Sequence, residues 1–206
     1  MADFNKAFEL LGKGIEWNSC SNIFRFNKGE TDPTFAGIYL KYFKNTRLYE
    51  YLKEKIKANF KIDLDNYFDK EKLKKDKKLQ EKISFALCVD DTALNLAKQI
   101  YHKQFWSKIK GDSIKNQQIA NLLFGQAVNI GVYNAVKILQ KCLNVKQDGI
   151  IGKITLGAVN KADTAELIEC LKREFKNYYC DLVAKKPYLA LNLAGWNNRI
   201  DRLLYS

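Results

Sequence analysis

Prolines are nearly absent: two in 206 residues, with 11 glycines. Proline breaks helices and glycine weakens them, so a chain this poor in both can run as helix over most of its length. Apolar residues recur at the helical period accordingly. Phe4, Phe8, Leu11 and Ile15 make one stripe, and Tyr49, Leu52, Ile56 and Phe60 another. Asp90, Asp91 and Thr92 can cap a helix running to about Trp106, and Asp112 or Ser113 the next, which carries Ile119, Leu122, Leu123, Phe124 and Val128. Asn129-Ile130-Gly131 is a break before a helix over 132–143, and 148–152 is a turn before another helix. Asp163 and Glu166 have capping-box spacing and open a long helix to about Ala184. Pro187 starts the last helix. Residues 22–40 lose the helical period and are predicted to form a short irregular β-hairpin.

The chain carries 35 basic and 23 acidic side chains, a net charge of +12. That surplus favours an anionic partner: nucleic acid, acidic lipid or a polyanionic cell wall. Residues 41–82 hold 14 basic and 8 acidic side chains, half of the surplus. Within them, 69–78 is predicted to be the most mobile piece. Five cysteines without CxxC spacing read as reduced thiols, not as a disulfide framework or zinc site. The first residues lack a basic stretch followed by an apolar run, so no signal peptide is expected. No run approaches the roughly 18 apolar residues of a spanning helix.

Glu16 is the first chemical candidate. It follows the apolar stripe and lies between Ile15 and Trp17. A carboxyl walled by apolar groups resists ionisation and can donate a proton near neutrality. Taken alone, a glutamate at a helix end is most often solvated. Glu30, Asp32 and Thr34 follow in a polar stretch. These residues also suit an ordinary turn. Read functionally, one carboxylate faces Glu16 and Thr34 orients a water, the pairing that glycosidic cleavage needs. His102 is the only histidine and stands without cysteines or a carboxylate pair nearby. No metal site is expected, and Gly149-Ile-Ile-Gly152-Lys153 lacks P-loop spacing. Trp106, Trp196 and Arg199 near helix ends fit core packing, although a tryptophan lining a cleft would stack on a sugar ring.

The order of motifs resembles glycoside hydrolase family 108, the phage and prophage N-acetylmuramidases with a C-terminal peptidoglycan-binding-like segment. That family has a Glu closing the first helix, then D-P-G-G-x-T-x-x-G-I, A-V-N-x-G, A-x-x-x-L-Q, D-G-x-x-G-x-x-T and G-W-x-x-R. This chain shows Thr34-Phe-Ala-Gly37-Ile38, Phe105-Trp106 and Ala127-Val128-Asn129-Ile-Gly131. It continues with Ala135-Val-Lys-Ile-Leu139-Gln140, Asp148-Gly149-Ile-Ile-Gly152-Lys-Ile-Thr155 and Gly195-Trp196-Asn-Asn-Arg199. It departs where D-P-G-G is replaced by Gly29-Glu30-Thr31-Asp32-Pro33, which leaves both Glu30 and Asp32 as second carboxylate, Glu30 preferred. Gly125-Gln126 stands where the family often has an Asp.

The resemblance implies a mainly α, lysozyme-like fold, with residues 1–143 as the catalytic region and 144–206 as the peptidoglycan-binding-like segment of the same globule. It implies hydrolysis of the β-1,4 bond between N-acetylmuramic acid and N-acetylglucosamine. Glu16 would be the general acid, and Glu30 or Asp32 with Thr34 would handle the water. Trp17, Tyr39, Trp106, Asn129, Trp196 and Arg199 are the expected substrate contacts. No metal or organic cofactor is needed. Peptidoglycan is the expected partner and a holin-type partner the expected export route, with synthesis in the cytoplasm and action in the periplasm or cell wall as a monomer. Two other readings remain: a peptidoglycan-binding or secretion-associated protein with impaired chemistry, and a basic nucleic-acid binder. No nucleic acid is expected on the first reading.

Overall fold

The computed structural model describes residues 1–12 and 19–204. The chain forms two compact units, one of Gly12–Ile100 and one of Met1–Leu11 with Tyr101–Ser206.

In the first unit, the expected hairpin is a three-stranded antiparallel sheet: β1 (Phe24–Arg25), β2 (Thr34–Phe35) and β3 (Ile38–Tyr39). Phe24 pairs with Phe35, and Phe35 with Ile38, so the apolar residues share one face. Two residues, Ala36 (φ 48°) and Gly37 (φ 79°), join β2 to β3. Positive φ at both positions is what a two-residue hairpin turn of matching twist demands. Ala36 accepts that strain, on the order of 1 kcal/mol.

The helices of this unit are α2 (Arg47–Phe60), α3 (Tyr67–Lys75), α4 (Lys77–Cys88) and α5 (Asp91–Tyr101), the last residue of which belongs to the other unit. Leu52, Ile56, Leu73, Ile83 and Leu87 are buried with Phe24, Phe35 and Leu40. α4 closes the exposed edge of β1 with two side chains one turn apart. Ser84 Oγ donates to Phe24 O at 2.7 Å and accepts from Phe24 N at 3.1 Å. Gln80 Oε1 accepts from Phe26 N at 3.3 Å. Strand groups that would otherwise need water or another strand are thereby satisfied.

Residues 69–78, expected to be mobile, are helical on both sides of Asp76. Asn66 caps α3, Asp76 caps α4, and Leu73 is fully buried. The caps and one buried leucine outweigh the charge density there.

The second unit contains α1 (Phe4–Leu11), α6 (Gln117–Ile130), α7 (Val132–Cys142), α8 (Lys153–Val159), α9 (Thr164–Lys185) and α10 (Leu193–Arg202). α6 is buried from Ile119 to Ala127, so its neighbours wrap all its faces. Its N-cap is Asn116, whose side chain accepts from Ile119 N at 3.0 Å, not Asp112 or Ser113. The helix expected to reach Trp106 is α-helical to Tyr101 and continues as a π-helical turn over His102–Trp106. Gly131 breaks α6 from α7, and Asp163 caps α9, as the sequence predicts.

The cysteine reading is corrected. Cys20 is bonded to Cys88 in the first unit and Cys142 to Cys170 in the second, with Cα separations of 5.3 and 5.8 Å. Sequence separations of 68 and 28 hide both pairs from a spacing argument, because only the fold brings them together. Cys180 is free and exposed.

Candidate active site

Glu16 and Trp17 lie outside the described residues. The other catalytic candidates gather at the sheet. Asn27-Lys28-Gly29-Glu30 is a turn closed by Glu30 N donating to Asn27 O at 3.1 Å, with Gly29 at φ 84°. The turn brings the Glu30 carboxylate back over β2. There it accepts from Asn27 N at 2.9 Å, from Asn27 Nδ2 at 2.9 Å and from Thr34 Oγ1 at 3.0 and 3.2 Å. Arg25 Nε donates to Asn27 Oδ1 at 3.0 Å, which fixes the amide with its NH2 group toward Glu30. The chain Arg25–Asn27–Glu30–Thr34 thus orients a half-buried carboxylate that still meets solvent.

Asp32 is differently placed. It is 4% exposed and accepts from Thr31 Oγ1 at 3.0 Å and from Lys70 at 3.1 Å, with Lys44 at 3.2 Å. Burial alone would push its pKa up, but the hydrogen bonds from Lys70, Thr31 and Lys44 outweigh burial and hold it below the usual carboxylate range. Tyr39 sits on β3 opposite Thr34, and its hydroxyl accepts from Thr31 N at 3.1 Å. Burial would raise the Tyr39 pKa, yet the bonds from Thr31 bring it below the ordinary phenol value. Glu30, Thr34 and Tyr39 are therefore neighbours, whereas Asp32 is bound to two ammonium groups.

The remaining expected contacts belong to the second unit. Trp106 is fully buried, ringed by Phe4 and Phe124, and donates from Nε1 to Asp112 at 2.7 Å. A Cβ on Gly111 would stand 2.2 Å from the Trp106 ring, so only glycine fits beside it. The expected sugar contact at Trp106 is thus a core contact. Arg199 is 9% exposed and donates to Gly125 O at 3.1 and 3.3 Å, tying α10 to α6. Trp196 is half-buried and stacks on Tyr179 at 4.9 Å. Asn129 is exposed and donates to the Tyr179 hydroxyl at 2.6 Å. Tyr179 in turn donates to Gln126 at 2.5 Å, and burial raises its pKa.

Two residues escaped the sequence reading. Asn27 orients Glu30, and its only sequence signal is an Asn three residues before a Glu across a glycine turn. Gln140, quoted only as part of a motif, is the hub of the Asp148–Thr155 loop. It donates to Asp148 at 2.7 Å, Ile150 O at 3.0 Å and Thr155 at 3.2 Å, and accepts from Gly149 N at 2.9 Å. Among the described residues, no group of three or more His, Cys, Asp or Glu side chains converges as a metal site. No described helix is long and apolar enough to cross a membrane.

Comparisons with known proteins match this architecture. The glycosyl hydrolase 108 family model matches residues 28–131, half of the chain, and that of a predicted peptidoglycan domain matches 134–201. A structure of SagA from Brucella abortus is similar in fold, with a TM-score of 0.62 and 22% identity over 98% of this chain and 91% of that one. No curated protein matches the chain. The family match over half of the chain, on a mainly α, lysozyme-like fold with a short sheet, gives the class, a glycoside hydrolase. The chain belongs to glycosyl hydrolase family 108, and its two matched regions make it a glycosidase acting on peptidoglycan.

Proposed function

We propose that the protein is an N-acetylmuramidase that cleaves the β-1,4 bond between N-acetylmuramic acid and N-acetylglucosamine. The observation that carries this reading is the Glu30 carboxylate, held by Asn27 and Thr34 at the sheet and open to solvent. In the proposed mechanism Glu16 protonates the leaving oxygen as general acid. Glu30 activates or steadies the attacking water as it meets the oxocarbenium-like sugar, and the Thr34 hydroxyl keeps Glu30 aimed. Asp32 takes no part in the chemistry on this reading. Two lysines neutralise it, so it anchors the turn that carries Glu30. Asn27 is a positioning residue. Tyr39 beside this cluster and Trp17 are the proposed substrate contacts of this unit, and Asn129 and Trp196 are proposed glycan contacts of the other unit by itself. Trp106 and Arg199 are assigned to packing.

The two disulfides support action in an oxidising compartment outside the cytoplasm, where the thiols would pair after release. The surplus of basic groups supports attraction to the anionic envelope, weakened by salt. Export through a holin-type partner and a monomeric state complete the proposal.

Purified sacculi are the test substrate. Wild type should release muropeptides with new N-acetylmuramic acid reducing ends by mass spectrometry, and Glu16→Gln, folded as judged by circular dichroism, should release none. Full release by Glu16→Gln would refute the role of Glu16. Sedimentation with sacculi without any new ends from wild type would instead favour a binding protein that has lost its chemistry, the reading motivated by the altered D-P-G-G stretch.

A further inference from the structure

Lysines are treated in two ways in the first unit. On α2, Lys53 meets Glu50 and Asp65, Lys55 meets Asp90, and Lys57 meets Asp63. On α3 and α4, Lys72, Lys75, Lys78 and Lys82 are exposed, and none meets a carboxylate among the described residues. Their spacing is regular. Phe68, Lys72 and Lys75 stand at i, i+4 and i+7 on α3, and Lys78, Lys82 and Phe85 at i, i+4 and i+7 on α4, so each helix carries one such stripe. The stripes point away from the core: Leu73 holds the buried side of α3, and Ile83 and Leu87 that of α4. Both rings are left in water, Phe68 79% exposed and Phe85 53%. Asp76 alone separates the helices, capping one and ending the other.

We propose that the outward stripes of α3 and α4 form a docking surface for an anionic lipid membrane. Four cations without counterions call for a polyanion. Exposed phenyl rings on the same stripes call for an apolar phase. A soluble polyanion satisfies only the lysines. An anionic bilayer satisfies both, because ammonium groups meet lipid phosphates while the rings enter the headgroup boundary. The surplus of 6 basic groups in residues 41–82 adds long-range attraction of the same sign. The surface would hold a wall-cutting enzyme beside the membrane that borders its substrate.

The test is co-sedimentation of the full chain with vesicles of mixed phosphatidylglycerol and phosphatidylcholine, and of phosphatidylcholine alone. Wild type should bind the mixed vesicles, less so as salt rises, and leave the neutral ones in solution. The variant Lys72→Gln/Lys75→Gln/Lys78→Gln/Lys82→Gln should lose binding by about fivefold for each lysine. Phe68→Ser/Phe85→Ser should bind vesicles at least about tenfold more weakly, with unchanged retention on dextran sulfate. Circular dichroism spectra and melting temperatures of both variants should match those of wild type, which shows that they fold. No binding of wild type to mixed vesicles at low salt would overturn the proposal. So would a phenylalanine variant that binds them as wild type does, since the surface would then read polyanions alone.

Discussion

The two units of this chain use polar side chains for opposite ends. In residues 12–100, Arg25, Asn27, Glu30 and Thr34 bond to one another and leave a carboxylate facing solvent. In the C-terminal unit, Gln140, Arg199 and Tyr179 turn their polar atoms inward, to a loop, a helix carbonyl and a neighbouring amide. The motifs that mark the family run through both units. The contrast teaches that a motif can identify a family by its packing as firmly as by its chemistry.

The contrast can be broken most forcefully at the disulfides, because each unit has one. Cys20→Ser/Cys88→Ser should cost about 4 kcal/mol and Cys142→Ser/Cys170→Ser about 3.5 kcal/mol, by the entropy of the loops they close. Urea unfolding checks both values, and a loss under 1 kcal/mol would show that the bridge is not formed in solution. Next in size is Gln140→Ala. It strands the buried Gly149 N–H and frees the Asp148–Thr155 loop, for a loss of about 2–3 kcal/mol. Turnover per folded molecule should not change; a drop in turnover at full stability would place chemistry in the C-terminal unit. The smallest effect is expected at Asp32. Its folded pKa lies below its unfolded value, so its stabilisation is complete above about pH 4 and is lost as pH falls through the lower folded value. Asp32→Asn should lower stability at neutral pH and flatten the acid limb of a melting-temperature profile. An unchanged acid limb would mean that Lys44 and Lys70 do not hold this carboxylate.

Much of this was legible in the residues. Asp163 with Glu166, Asp90 and Gly131 mark helix limits because capping and helix breaking are local chemistry, complete within a few residues. The charge run at 69–78 misled because the Asn66 and Asp76 caps and the burial of Leu73 decide it, and burial is set by distant partners. Both disulfides were illegible for the same reason. At the site, Glu30 and Thr34 stand four residues apart in one polar stretch and were candidates from sequence, whereas Asn27 needed the turn's geometry. Trp106 and Arg199 each suit a cleft or a core equally well by residue type. Gly111 against the indole and Gly125 O beneath the guanidinium decide for the core.

The central claim is that chemistry resides in the carboxylate set on the sheet unit. Digestion of purified sacculi by Glu30→Gln measures it most directly, with wild-type stability verified in parallel. The account predicts a loss of at least about 100-fold in the release of N-acetylmuramic acid reducing ends, with stability within about 1 kcal/mol of wild type. Release at the wild-type rate would contradict it.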